Sequence, residues 1–303
     1  KTGTTMGPRK KRRSNTLLIL CLGLITGFLL AGPIRYDGVI NDLRSRLSDG
    51  GGDVVVTGDL SVAGSSTILP ITQECANLFM EKNNLTHISV AGGGSGHGIK
   101  SAGNGEIDIG ESSRNVKETE LLKYPDLVLF SIGKDSVAVI INANNPLAGR
   151  LDLTLEQLGG VFSGKITNWN ELGGEDHEIE VYTREAGSGT REVFTEYVMG
   201  GRDFVATASV KPSNGEMRAS VTNNVYGIAY ISLGYVDESV STIKIQGIEA
   251  NIENVHNGQY PITRILWVFT KGMPSKLEAA FIEFIQGPEG QAVVGELGYI
   301  PIY

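Results

Sequence analysis

Three short turns rich in glycine, serine and threonine constrain this chain more than any other feature. They are Ala63-Gly64-Ser65-Ser66-Thr67, Gly92-Gly93-Gly94-Ser95-Gly96-His97-Gly98 and Gly187-Ser188-Gly189-Thr190. Each falls where an apolar strand-like run ends and a helical pattern begins. A strand that feeds a helix through a tight turn, repeated along a chain, builds an α/β protein. Glycine at such a junction lets the backbone come close to a ligand, and the first turn of the following helix offers N–H groups without partners. Serine and threonine add hydroxyl donors, so each turn can cradle an anion. One such turn alone is explained by ordinary helix capping, for which these residues are favoured. Three together, with Arg184 just ahead of the third, favour the anion cradle.

The alternation extends over the body of the chain. "DVVVTGDLSVAG" reads as two short strands around Gly58-Asp59. "ILPITQECANLFMEKN" is an amphipathic helix that places Cys75 on a core face with Ile71, Leu78 and Phe79. "HISVAG" and "EIDIG" are strands, with a short helix over "GHGIKSAGNG" between them. Two β-rich runs follow, "LVLFSIG" and "SVAVIIN", and then helices at Thr154–Phe162, Ser188–Met199 and Ser213–Val221. "RILWVFTK" is a late strand, and two helices close the chain. A largely parallel sheet is expected. A body of roughly 250 residues exceeds the usual single-core size, so two lobes are expected.

Charge separates head from body. The first 52 residues hold nine Lys/Arg against three Asp. Taking these from the totals of 26 and 34 leaves 17 basic and 31 acidic residues, a formal −14 for the body against +6 for the head. So acidic a body argues against nucleic acid as a partner. The head reads as a membrane address. "RKKRR" (9–13) precedes the apolar run "LLILCLGLITGFLLAG" (17–32), which predicts a transmembrane helix or signal segment with its N-terminus inside. It is either an uncleaved anchor or a signal peptide cut near Ala31. Cys21 suggests a lipoprotein, but Leu20 is too bulky before it. A stem and a triple glycine then lead to the body, which is placed outside the cytoplasm. Cys75 is the only cysteine of the body, so no intrachain disulfide is available there.

Other chemistries lack their residues. Ile99 separates Gly98 from Lys100, which breaks the phosphate-loop pattern. G-x-S-x-G is absent, and none of His87, His97, His177 and His256 forms a pair with zinc spacing. No cofactor and no metal are expected.

The body resembles the phosphate-binding proteins of the Pst ABC transporter, the PstS family. The resemblance runs from about Val54 to Tyr303 and rests on "AGSSTILP", "GGGSGHGIK", "IDIGESSR", "LTLEQLGGVFSGKITNWNELGG", "REAGSGTR" and "YGIAYISLGYV". It implies the two-lobed type II periplasmic binding protein fold, closing on dehydrated phosphate. The implied layout is 1–52 as basic head, anchor or signal and linker, 53–140 as lobe 1, 141–261 as lobe 2, and 262–303 returning to lobe 1. "SVAVIIN" and "RILWVFTK" correspond to the strands crossing between lobes. Carried over, Ser66 and Thr67 donate from the first turn and Ser95 from the second. Arg184, Ser188, Gly189 and Thr190 donate from the third, while Trp169 is structural. Many members carry an aspartate that accepts the proton of hydrogen phosphate. Here Ser113 stands at that position, and Glu111 and Glu185 are the other candidate acceptors. Arg191 is expected on the exposed side of its helix.

The implied function is extracytoplasmic capture of inorganic phosphate and its delivery to the ABC transporter permease subunits, with the membrane engaged through 17–32. The alternatives are a membrane-anchored phosphate sensor and a binding protein for another tetrahedral oxyanion. An enzyme, a phosphatase on the same scaffold, is set aside for want of a metal cluster or an activated nucleophile in the sequence.

Overall fold

The computed structural model describes residues 55–302. The head at 1–52, with the run at 17–32 and Cys21, lies outside them. Among the described residues no helix is long and apolar enough to cross a membrane.

The chain opens with β1 (Gly58–Gly64), α1 (Leu69–Lys82), β2 (Thr86–Gly92), α2 (Ser95–Asn104), β3 (Ile109–Ser112) and α3 (Glu118–Lys123). β4 (Leu127–Asn142) follows, then β5 (Asp152–Leu153), α4 (Leu155–Phe162), β6 (Glu180–Arg184) and α5 (Gly189–Phe194). After β7 (Ser209–Lys211) come α6 (Asn214–Thr222), β8 (Gly227–Ser232), β9 (Val240–Thr242), β10 (Lys244–Ile245) and α7 (Ile252–His256). β11 (Thr263–Lys271), α8 (Lys276–Gln286) and α9 (Pro288–Glu296) complete it. The main sheet has the order β2-β1-β3-β11-β4-β8-β6-β7.

Its two wings are parallel, β1 with β2 and β3, and β6 with β7 and β8. The centre is antiparallel, where β11 pairs with β3 and β4 and where β4 pairs with β8. The expected largely parallel sheet thus holds for the wings alone. "LVLFSIG" and "SVAVIIN" form one strand of 16 residues rather than two. Lys134 and Asp135 interrupt the apolar pattern without breaking the backbone, because β11 pairs with the strand from Leu127 to Ser136, with one register shift at Leu266/Trp267, and β8 takes over at Val137. "EIDIG" yields a strand only from Ile109, since Asp108 turns aside to accept from the N–H and Oγ of Ser61, both at 2.7 Å.

Two large hydrophobic cores flank the centre. One gathers β4 from Val137 to Ile141, β8 from Ile228 to Ile231, and Phe162, Phe194 and Met217. Tyr230 stacks on Phe194 there with centroids 4.1 Å apart. The other gathers Leu60, Val62, Ile71, Phe79, Cys75, Val268, Phe281 and Ile285. Both draw on β4, the first from Val137 onward and the second from Val128 to Ile132. Trp169 is buried in the first core and donates its indole N–H to the carbonyl of Tyr226, as its structural reading required.

Helix α2 packs against the strand ends with no room to spare. A Cβ on Gly98 would stand 2.6 Å from the carbonyl oxygen of Glu111 and 2.9 Å from that of Ala63. Neither is a flexible side-chain end, so the helix itself would have to move. Gly98→Ala is therefore expected to destabilise the fold by at least about 1–3 kcal/mol, the usual range for overpacking. A urea midpoint equal to that of the wild type would show that α2 is not seated on these carbonyls.

Candidate functional site

The three turns meet. Ser66 and Thr67 follow β1, Ser95 opens α2, Ser113 follows β3, and Ser188, Gly189 and Thr190 lie at the start of α5. All of them are buried, and so is Arg184 at the end of β6. The hydroxyls of Thr67 and Thr190, 123 positions apart in sequence, are 3.3 Å apart. Ser113 donates its N–H to Ser95 Oγ at 3.1 Å, and the two serine hydroxyls lie 3.5 Å apart. Gly189 closes over this pair. A Cβ there would fall 2.3 Å from Ser95 Oγ and 2.8 Å from Ser113 Oγ, so any larger residue would drive the two walls apart. The backbone of Gly96 joins the same seam by donating to the carbonyl of Gly187 at 2.9 Å.

Arg184 is placed differently from Thr67 and Thr190. Its Nε and Nη2 are held bidentately by Glu185 at 2.8 Å each, and they also donate to the carbonyls of Lys211 and Pro212. None of these bonds uses Nη1. Ser188 spends its Oγ as an N-cap that accepts from the N–H of Arg191 at 3.2 Å. Of the candidate acceptors, Glu185 is committed to Arg184. Glu111 turns away toward α1, where Thr72 donates to its Oε1 at 2.5 Å. Arg191 corrects an expectation. It is half-buried, donates to the carbonyl of Arg184 at 2.6 Å and lies over the Phe204 ring. The reason is that α5 turns this face toward β6 rather than outward.

Sequence reasoning missed four neighbours. Asn214, the first residue of α6, donates from Nδ2 to Thr67 Oγ1 at 2.9 Å and to Ser66 Oγ at 3.4 Å. Tyr235 donates to the carbonyl of Ser66 at 2.7 Å. Arg264 on β11 donates to Thr190 Oγ1 at 2.9 Å and to Thr67 Oγ1 at 3.1 Å. Asp135 on β4 pairs with Arg264 at 2.7 Å. The available signal was an opposite charge set into each of two otherwise apolar β-runs, since a buried charge in a strand calls for a partner. A cleft of about 1040 Å³ adjoins the cradle, walled by Arg114, Lys117, Lys134, Arg191 and Glu192 among others, and Arg264 forms part of its wall.

What this arrangement can do follows from its donors. Hydroxyls, backbone N–H groups and guanidinium arms converge in a buried seam between two cores. Such a seam holds a small tetrahedral oxyanion by many fixed dipoles. The class of protein so defined is a two-lobed binding protein.

Comparison with known proteins narrows the class. A model of the PBP superfamily domain matches residues 52–289. The phosphate-binding protein PstS of Bacillus subtilis is 31% identical over 287 residues, 94% of this chain and 94% of that protein. PstS of Pseudomonas aeruginosa PAO1 is 28% identical over 82% of this chain and 84% of that protein. Among solved structures, a Clostridium perfringens protein with bound phosphate, assigned as the substrate-binding protein of a phosphate ABC transporter, is 36% identical. It covers 81% of this chain and 100% of its own, with a TM-score of 0.77. An ABC-type phosphate transport receptor of Vibrio cholerae is 31% identical over 80% of this chain and all of its own, with a TM-score of 0.66. The chain belongs to the PstS family of the PBP superfamily and has the two-lobed type II binding-protein fold.

Glu111 makes the region sensitive to pH. It is fully buried and its Oε2 has no partner. Burial pushes its carboxyl up to about 8, opposed in part by the Thr72 hydroxyl. The folded state thus holds a proton that the unfolded chain releases near 4.5. Stability from this group is full below the unfolded value and is lost as pH rises from about 4.5 to about 8. Glu111→Gln mimics the protonated acid, and its melting temperature is expected to fall less than that of the wild type between pH 5 and pH 8. Parallel melting curves across that range would show Glu111 ionised in the fold.

Proposed function

We propose that this chain captures inorganic phosphate in the cleft between its lobes and hands it to the permease of an ABC transporter. The observation that carries the reading is the meeting of the Thr67 and Thr190 hydroxyls, one from each side, beside the Ser95–Ser113–Gly189 seam. The names of the PstS relatives and the phosphate bound by the Clostridium perfringens protein support phosphate as the occupant. Ser66, Thr67, Ser95, Ser113, Ser188, Gly189 and Thr190 provide hydroxyl or N–H donors, and Arg184 turns Nη1 to the anion. Lobe 1 is formed by 53–140 and 262–303, and lobe 2 by 141–261. The cores support this division, since one draws mainly on 137–262 and the other on 56–132 and 266–299. The protein acts as a receptor and not as an enzyme. It works outside the cytoplasm, tethered to the membrane by residues 17–32.

Arg184→Ala removes one partner of a buried charge pair and leaves Glu185 facing the cradle. Calorimetry should show phosphate binding weakened by about 2–5 kcal/mol. The exposed Arg150→Ala serves as the control. An unchanged dissociation constant in a folded Arg184→Ala protein would remove Arg184 from the site.

Ser113 bears on selectivity. A hydroxyl both donates and accepts, so its oxygen accepts a hydrogen bond from the O–H of hydrogen phosphate without repelling an unprotonated oxyanion as a carboxylate does. Phosphate is expected to win over sulfate by a margin that Ser113→Asp widens. Sulfate competition measured from pH 5 to pH 9 checks this. Equal exclusion of sulfate by both proteins would mean that another acid already acts as the filter.

A further inference from the structure

Arg264 and Asp135 face each other across the β11–β4 ladder. Both are buried, Asp135 at 1% exposure and Arg264 at 7%. Asp135 Oδ2 accepts from Nε at 2.9 Å and from Nη2 at 2.7 Å, which fixes the plane of the guanidinium. Its far edge then reaches both sides of the cradle, Nη1 to Thr190 Oγ1 and Nη2 to Thr67 Oγ1. A hydroxyl has one proton to give and two lone pairs with which to accept. Arg264 fills one lone pair on each threonine, and Asn214 Nδ2 fills the second on Thr67. The Thr67 proton can then only be given away. The two hydroxyls cannot satisfy each other both ways, so at least one O–H must point at an acceptor outside the pair. An oxyanion is such an acceptor.

We propose that Arg264 is a positioning residue for the bound anion, which turns Thr67 and Thr190 into obligate donors from both sides of the cleft, and that Asp135 tempers its charge. This inference rests on the phosphate reading above and adds two residues that sequence reasoning did not place in the site. Two further features fit the role. Arg264 lines the cleft of about 1040 Å³ as well as bonding both cradle hydroxyls. Asp135 keeps its second oxygen, Oδ1, buried without a partner, so the carboxylate is spent on the guanidinium alone.

The test uses the full chain, inorganic phosphate, calorimetry and thermal melting. Arg264→Gln is expected to weaken phosphate binding at least tenfold. Arg264→Lys restores the charge but cannot fork to both hydroxyls, and is expected to recover only part of the loss. Asp135→Asn keeps an acceptor for the guanidinium while removing the opposing charge. Its ligand-free melting temperature should fall, and its phosphate-induced rise should exceed that of the wild type. If the pair were merely structural, both Arg264→Gln and Asp135→Asn would lower the ligand-free melting temperature. Phosphate affinity would then stay within twofold of the wild type, and that result overturns the inference. Should Arg264→Gln fail to fold, Arg264→Lys and Asp135→Asn still decide through affinity and the sign of the melting shift. A wild-type chain that binds no phosphate overturns the proposed function and this inference with it. Binding by the wild type with unmoved variants overturns the inference alone.

Discussion

The antiparallel pairing of β4 with β11 is the constraint on which the rest of this structure depends. β4 supplies side chains to both large cores, and β11 lies against it from Thr263 to Lys271. The two parallel wings attach on either side of this pair, β3 to β11 and β8 to β4. The turns that follow the strands of both wings therefore come together near the centre of the sheet. β1, β3 and β6 end in Gly64, Ser112 and Arg184, and the cradle residues begin within a few positions of each. Ligand sites at the carboxyl ends of strands are a general property of parallel α/β sheets. Here two such sets of strand ends face each other across an antiparallel centre, which makes a seam instead of a surface groove.

The central ladder also explains why the site carries buried charge. A salt bridge inside a strand pair is poor value for stability alone, because the desolvation of both ions offsets most of their attraction. Asp135 and Arg264 sit in strands whose other buried residues are largely apolar. Their position beside Thr67 and Thr190 lets the guanidinium donate to both hydroxyls, which a hydrophobic pair could not do.

Much of this was legible in the sequence because it depends on local chemistry. The turns declare themselves through glycine and hydroxyl residues, and "REAGSGTR" and "AGSSTILP" place Arg184, Thr190 and Thr67 at element ends that the structure keeps. What stayed hidden is what depends on distant pairing. The continuity of β4 is enforced by β11, more than 120 positions later, and not by the Ser131–Asp135 stretch itself. The antiparallel centre follows from the same pairing. Asn214 looks like the opening of an ordinary helix after its cap at Ser213, and only the approach of α6 to the first turn turns its amide toward Thr67. Arg191 looked solvent-facing because helical periodicity locates a face but cannot say that β6 and Phe204 will cover it.

The acidic body and the anion cradle are reconciled by how the cleft spends its charges. Arg114, Arg184 and Arg264 are the arginines buried among the described residues, and each is matched to carboxylate: Arg114 to Glu120 and Glu192, Arg184 to Glu185, Arg264 to Asp135. The buried guanidinium charge is thus largely cancelled before any ligand arrives. What remains is a set of short-range dipoles, the O–H and N–H groups of the three turns, whose strength rises in a buried seam. Dipoles act only on what touches them. On the reading proposed above, the occupant must present an oxygen to each donor. On that reading shape and donor count decide what binds, and the charge of the body sets only the background against which they act.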